Sequence, residues 1–106
     1  MERVLDALRE TDLSEVEERV SRALEVAPAP WIPLLETRHG IGGCSFIQVG
    51  DDPALDIEIY VDVHVGTGKL TSPDRRLDAV IDFLGHAPAD VIRLTAEVRR
   101  LRNELA

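Results

Sequence analysis

The residues best suited to chemistry lie in the segment DIEIYVDVHV, residues 56–65. Polar and apolar residues alternate along it, which predicts a strand with one buried face. The polar face would present Asp62 and His64, whose side chains are of the types that bind metal ions. Alternate residues of a strand lie about 7 Å apart, and a metal site needs several converging ligands. We therefore predict no metal site, and keep Asp62 with His64 as the candidate ligands if one exists.

Two further features invite a test for a phosphate-binding loop and for a reactive thiol. GTGK, residues 66–69, follows the predicted strand, but Leu70 stands where a phosphate-binding loop requires Ser or Thr. Cys44 opens an apolar segment and has no basic cluster beside it to activate its thiol. We therefore predict no catalytic residues and no cofactor.

The charge balance argues against nucleic acid as a direct ligand. The chain has 20 acidic and 12 basic residues, a formal net charge of −8, whereas binding to phosphates needs clustered Lys and Arg. An acidic surface could instead imitate a nucleic-acid backbone and bind a DNA-binding protein. This acidic decoy is one alternative for the function.

The sequence also predicts a compartment. A single cysteine rules out an internal disulfide, and no apolar run approaches the length that spans a membrane. The first residues form a charged amphipathic segment rather than a signal peptide. We therefore expect a cytoplasmic protein with no membrane partner.

The elements that must position these residues follow from hydrophobic periodicity. A chain of 106 residues is expected to form one domain. We predict helices over about 2–10, 13–26, 73–84 and 88–105, and strands over about 31–37, 44–49 and 56–65. We expect an α+β fold, in which a three-stranded antiparallel sheet has one face covered by helices from both chain ends.

Prolines and glycines set the predicted boundaries of the last two helices. Ser72 is the expected N-cap, and Pro73 would take the first helical position, where a missing amide costs nothing. Gly85 would end that helix, and Pro88 would begin the next one. Trp31, the only tryptophan, is expected to act as a structural anchor where the first helices meet the sheet.

The last predicted helix carries the most regular apolar pattern in the chain. The residues of this C-terminal stripe, spaced 3, 4, 3 and 4 apart, are Val91, Leu94, Val98, Leu101 and Leu105. The stripe covers about two heptads, fewer than the roughly three or four that predict an independent coiled coil. We expect it to pack first on the N-terminal helix, along Val16, Val20 and Leu24. Leu101 and Leu105 would then extend into the seam of a homodimer.

Both helical ends of the chain carry motifs that can be compared with known sequences. LSEVEERVSRALEVAPAPW resembles L-x-E-I-E-x-R-x-x-A-A-T-P-G-P-W, and FLGHAPADVIRLTAEVRRLR resembles F-I-A-x-A-R-x-D-V-P-x-L-L-A-E-V-x-R-L-R. With these two motifs the chain resembles a family of small uncharacterised proteins of actinobacteria and their phages. The chain departs from these motifs at Ala29, Pro88 and Ile92, where they have Gly, Arg and Pro. The resemblance implies a helix–sheet–helix architecture and a phage or mobile-element setting. It brings no catalytic residues with it.

Taken together, these patterns predict a non-enzymatic protein-interaction module of phage or mobile-element type. It would act as a homodimer and bind a host or phage protein. A small enzyme or metal-dependent factor that uses the polar face of residues 56–65 is the first alternative, and the acidic decoy is the second. Each function would use a different surface. The interaction module would use the C-terminal stripe, the enzyme or metal-dependent factor would use the polar face of residues 56–65, and the decoy would use the exposed carboxylates.

Overall fold

The computed structural model describes residues 8–105, and these residues form the predicted α+β fold. The elements in chain order are α1 (Glu10–Val26), β1 (Trp31–Leu34), α2 (Glu36–His39), β2 (Phe46–Val49), β3 (Glu58–Ile59), β4 (His64–Val65), β5 (Gly68–Lys69) and α3 (Arg75–Leu105). A turn of 3-10 helix, Pro53–Leu55, precedes β3. The helix predicted over 2–10 falls mostly outside the described residues.

Strands β1, β2 and β3 form the predicted antiparallel sheet, with β2 in the centre. Ile47 of β2 lies opposite Ile59 of β3, so both side chains point to the same face. Ile47 is fully buried and packs with Leu77 and Ile81 of α3. The core therefore lies between the sheet and α3.

Helix α1 packs mainly on α3 rather than on the sheet. It begins at Glu10, ahead of the predicted start at residue 13, because the carboxylate of Asp12 accepts the amide of Arg9 (3.0 Å) and closes the first turn. At the other end, Trp31 Nε1 donates to the carbonyl of Ala27 (2.7 Å), and the ring packs against the core. Trp31 thus joins the end of α1 to the sheet.

The strand predicted over 56–65 is not continuous. β3 pairs with β2, whereas β4 pairs with β5 in a separate hairpin. If β2 and β3 kept their register, Val61 would oppose Ser45. Ser45 instead donates its amide to Ser72 Oγ (2.9 Å) and its hydroxyl to Asp78, so its polar groups are held by the segment around the start of α3. The sheet therefore ends before Val61.

The strands predicted over 31–37 and 44–49 are also shorter in the structure, with four residues each. The single turn of α2 follows β1, because the amide of Leu35 donates to His39 Nδ1 (2.8 Å) and bends the chain. Gly40 then ends α2 with a φ of 59°, in the left-handed region that glycine adopts without strain. A loop connects this turn to β2.

Helix α3 begins at Arg75 rather than at residue 73, because Asp74 is its N-cap. Asp74 Oδ1 accepts the backbone amides of Arg76 (2.7 Å) and Leu77 (3.3 Å). The predicted cap, Ser72, instead accepts the amide of Ser45. The cap thus lies two residues further along the chain than predicted.

The structure has one helix where the sequence predicted two, over 73–84 and 88–105. Gly85 lies inside α3 and faces β1, where an added Cβ would stand 2.8 Å from Pro33 Cβ. This glycine therefore permits the close approach of helix and strand rather than ending the helix. Pro88 removes one backbone hydrogen bond, but α3 is held by the sheet on one side of this point and by α1 on the other.

Candidate interaction surface

The C-terminal half of α3 lies against α1, and ion pairs fix how the two helices meet. Arg99 donates to Glu17 Oε2 (2.8 Å) and to Glu10 Oε2 (2.9 Å), and Arg102 lies 3.4 Å from Glu10. The hydrogen bonds from Arg99 hold the pKa of both glutamates below its ordinary value. The start of α1 therefore lies near the end of α3, so the two helices run antiparallel.

A groove runs along one side of the contact between α1 and α3. The groove, of about 430 Å³, is lined on the α3 side by Ile92, Thr95, Ala96 and Arg99. Val20 and Leu24 of α1 line its other wall. Thr95 is buried beside this groove, and Val91 and Val98 of the C-terminal stripe are half-buried, as are Val16, Val20 and Leu24 of α1. The packing of the two stripes on each other stays a prediction.

Most of the C-terminal stripe stays exposed. Val91 and Val98 are half-buried. Leu94, Leu101 and Leu105 have 65%, 45% and 87% of their surface exposed. The exposed part of the stripe thus includes Leu94 as well as the two leucines that were expected to extend past α1.

Because α3 is continuous, the apolar spacing runs along the whole helix. Positions 3 and 4 apart in strict alternation are occupied by Leu77, Val80, Leu84, Ala87, Val91, Leu94, Val98, Leu101 and Leu105. These nine residues, called the heptad stripe below, cover about four heptads. The boundaries predicted at Gly85 and Pro88 hide the first half of this pattern, although the spacing passes through both unbroken.

The N-terminal half of α3 adds apolar surface to the same side. Val80 of the heptad stripe is 37% exposed, and Phe83 beside it is 70% exposed. Leu77, although part of the heptad stripe, is buried with Ile81 on the side that faces the sheet, and Leu84 packs against the same core. The heptad stripe is therefore partly in the core, and its exposed residues are Val80, Leu94, Leu101 and Leu105.

The polar residues of the predicted strand do not form a ligand cluster. Asp62 Oδ1 lies 3.7 Å from Lys69 Nζ, and Lys69 pairs with His64 across the β4–β5 hairpin. All three side chains are exposed. Across residues 8–105, no three His, Cys, Asp or Glu side chains are grouped in a way that could hold a metal ion.

The structure reveals a buried carboxylate on α3, at Asp78, which no pattern in the sequence indicates. Asp78 is 4% exposed and accepts the amide (3.0 Å) and the hydroxyl of Thr37, together with the hydroxyl of Ser45. Burial alone would raise its pKa, but these hydrogen bonds outweigh burial and hold the pKa below its ordinary value. Asp78 therefore connects α2, and Ser45 just before β2, to α3 as a charged acceptor.

A depression of about 720 Å³ opens beside this network, between α2 and α3. Its ionisable side chains are mixed in charge and comprise Arg38, Arg75, Asp78, Asp82, His86 and Asp90. Asp82 contacts the ring of His86. The backbone carbonyl of Asp82 lies 2.8 Å from His86 Nδ1, and its Oδ1 lies 3.3 Å from the same nitrogen. Thr37 also lines the depression, where its hydroxyl donates to the carboxylate of Asp78.

No protein-family model, curated protein or solved structure matches this chain. The resemblance to actinobacterial and phage proteins stays a prediction. Among the helices of residues 8–105, none is both long and apolar enough to cross a membrane.

Proposed function

We propose that this protein is a non-enzymatic interaction module that binds through the outer face of α3 and acts as a homodimer. The observation that carries the proposal is the exposure of Leu94, Leu101 and Leu105 on one side of a helix whose other side is anchored. Burying a fully exposed leucine contributes roughly 1.5–3 kcal/mol. Contiguous apolar surface of this kind is typical of protein-binding sites.

The polar groups favour this function over the metal-dependent alternative. Lys69 Nζ lies 3.7 Å from the carboxylate of Asp62. A cation bound by Asp62 and His64 would therefore have to displace or repel a lysine ammonium. The carboxylate that is buried, Asp78, is already engaged by three hydrogen bonds.

The charges also favour the interaction module over the acidic decoy. A decoy needs carboxylates that are free to meet a basic partner. On α1 and α3, many carboxylates instead pair with arginines of the same chain, as Glu10 and Glu17 do with Arg99, and Glu97 and Glu104 with Arg100.

The setting of the module follows from the sequence. We place it in the cytoplasm, because its one cysteine, Cys44, is exposed and has no second cysteine with which to form an internal disulfide. The resemblance of both helical ends to actinobacterial and phage proteins supports a phage or mobile-element role. The dimer would then bind a host or phage protein.

Sedimentation equilibrium at micromolar concentrations tests the proposal with two double variants. Leu94→Glu with Leu101→Glu places charge on the outer face of α3 and is expected to give a monomer. Ala89→Glu with Asn103→Glu adds the same charge at exposed positions on another side of α3, and should remain a dimer like the unmodified protein. Circular dichroism checks that all three proteins keep their helices. A monomeric unmodified protein throughout this range would contradict the proposal.

A further inference from the structure

The chain stays extended from β3 to β4, although its pairing with β2 stops at Ile59. Half-buried and exposed residues alternate strictly over residues 57–64, called the edge segment below. Ile59, Val61 and Val63 pack against the core on the inner side. The exposed residues between and beside them are Glu58, Tyr60, Asp62 and His64. This alternation is that of a β-strand with one covered face.

One side of the edge segment carries its backbone hydrogen bonds. The amide of Val49 donates to the carbonyl of Ile57 (3.0 Å), and the amide of Leu70 donates to the carbonyl of Val63 (2.9 Å). Backbone groups of alternate residues point to the same side of an extended chain, so Ile57 and Val63 face the same way. Strand β2 and the second strand of the hairpin therefore lie end to end along one side of the edge segment.

The opposite side of the edge segment has no neighbouring strand. Bonded and non-bonded pairs alternate in an antiparallel ladder. Glu58 and His64 belong to non-bonded pairs, because each adjoins a pair that is bonded, and their amides and carbonyls therefore point away from β2 and β5. The backbone groups of Tyr60 and Asp62 follow the same alternation. Since no other strand of residues 8–105 pairs with β3 or β4, these groups form a row along an open edge.

We propose that the edge segment binds an extended segment of another protein as an added strand, in which basic and apolar residues alternate. An open strand edge is a template for such pairing, where main-chain hydrogen bonds supply affinity and alternate side chains supply selectivity. This surface is separate from the outer face of α3. The inference therefore goes beyond the proposed function and does not depend on it.

The carboxylates at the start of the edge segment select basic residues in the added strand. Asp52, Asp56 and Glu58 line a depression of about 100 Å³, and no Lys or Arg of residues 8–105 lines it with them. Asp52 accepts the amide of Ala54 (3.0 Å), and Glu58 accepts the hydroxyl of Tyr60 (2.8 Å). These neutral donors leave the carboxylate charges uncompensated, so a Lys or Arg side chain is favoured there.

The inner side of the edge segment selects apolar residues in the added strand. Ile59, Val61 and Val63 are only half-buried, and apolar side chains of a neighbouring strand would cover more of their surface. At the far end, Lys69 Nζ already lies 3.7 Å from the carboxylate of Asp62. The basic positions of the added strand therefore matter most beside Glu58.

A second copy of the chain fits this edge less well than a basic strand. Pairing two such edges would bring the same carboxylates onto neighbouring strands, and each chain has a formal net charge of −8. Like charges on adjacent strands are destabilising, and charged side chains are a usual protection of an edge against its own kind.

Calorimetric titration with a synthetic peptide tests the proposal. The peptide has about nine residues, in which lysine and valine alternate, and at about 3.3 Å per residue it spans the edge segment. It is expected to bind, and the same peptide with glutamate in place of lysine is not.

Two further peptides separate strand addition from attraction between charges. One is N-methylated on the lysine amides and the other on the valine amides, so both keep every charge. Only one set of amides faces the edge, so one of the two peptides should bind about tenfold more weakly or worse, and the other should bind like the parent. If the parent peptide does not bind, or if both methylated peptides bind as it does, the proposal is wrong.

Hydrogen exchange and a matched pair of variants locate the site on the protein. Peptide binding should slow exchange at the amides of Glu58, Tyr60, Asp62 and His64, and unchanged exchange there would overturn the proposal. Asp62→Pro removes an edge amide and should bind the peptide about tenfold more weakly than Asp62→Ala, which retains it. If Asp62→Pro, unlike Asp62→Ala, instead converts a dimer to a monomer in sedimentation, the edge binds a second copy and the proposal is wrong.

Discussion

The contact between Gly85 and Pro33 gives the prediction whose size is set most directly by the structure. A methyl group on residue 85 would lie 2.8 Å from Pro33 Cβ and Cγ and 2.9 Å from Cδ. The ring cannot retreat easily, because Pro33 lies opposite Ile47, which has no exposed surface. Gly85→Ala therefore forces α3 and β1 apart.

Two effects of opposite sign determine the result. Replacing glycine by alanine inside a helix stabilises the fold by about 1 kcal/mol, whereas overpacking a closely packed contact costs about 1–3 kcal/mol. Three atoms of Pro33 within 3 Å of the new methyl group place Gly85→Ala toward the upper part of that cost. We expect a net loss of about 1–2 kcal/mol in the free energy of unfolding.

Urea unfolding followed by circular dichroism measures this loss. The matched control is Ala89→Gly, at an exposed position of the same helix, which should lose about 1 kcal/mol through helix propensity alone. All proteins are compared at one concentration, because the stability of a dimer depends on it. A gain of about 1 kcal/mol for Gly85→Ala would refute the close contact between α3 and β1.

Three further predictions concern the polar groups. Asp78→Ala leaves three hydrogen-bond donors, the amide and hydroxyl of Thr37 and the hydroxyl of Ser45, without their acceptor. It should lower the free energy of unfolding by about 2 kcal/mol or more, as measured in urea; an unchanged midpoint would contradict this. Hydrogen bonds lower the pKa of Asp74 to about 2 and also lower that of Asp78. Their stabilisation is therefore present above about pH 4 and lost as the pH falls toward about 2, so the melting temperature should drop across this range, and a flat profile would be inconsistent with these shifts. Arg99→Ala breaks the pairs with Glu10 and Glu17, and its melting temperature should fall below that of the unmodified protein at low salt but approach it at high salt. An equal difference at both salt concentrations would contradict an ionic contribution.

The fold class could be predicted from the sequence because it depends on patterns that span many residues. Helical periodicity in α1 and α3 and the apolar alternation around β2 and β3 are strong enough to predict helices and an antiparallel sheet. The strand over 56–65 was predicted too long. The alternation of apolar and polar residues indicates an extended chain with one buried face, but it does not indicate how far a neighbouring strand pairs with that chain. Ser45 bonds to Ser72 and Asp78 instead of to the chain beyond β3. The pairing of β3 with β2 therefore stops at Ile59.

The helix boundary predicted at Gly85 and Pro88 is wrong, because it was drawn from local sequence preferences that do not include tertiary contacts. Gly85 serves a tertiary contact with Pro33, and the sequence does not reveal which element a glycine faces. Pro88 costs one hydrogen bond, and the packing of α3 on the sheet and on α1 outweighs that cost. Propensity is thus overridden by packing at both positions.

The candidate surface could be predicted in part. The spacing of Val91, Leu94, Val98, Leu101 and Leu105 identifies an apolar stripe correctly, and the structure then divides it between half-buried valines and exposed leucines. The ion pairs of Arg99 with Glu10 and Glu17 were not predictable, because they depend on how α1 and α3 lie against each other in the folded chain. The Asp78 network depends on loops that only the folded chain brings together.

Distances between spin labels in the two copies test the central claim most directly. Labels are placed in turn at Ala89 and Asn103, which are exposed positions of α3 on another side from Leu94 and Leu101. A homodimer through the outer face of α3 predicts dipolar coupling between the labels of the two copies at micromolar concentration, and Leu94→Glu with Leu101→Glu should abolish this coupling. The absence of coupling in the unmodified protein, or coupling that persists in the double variant, would contradict the account.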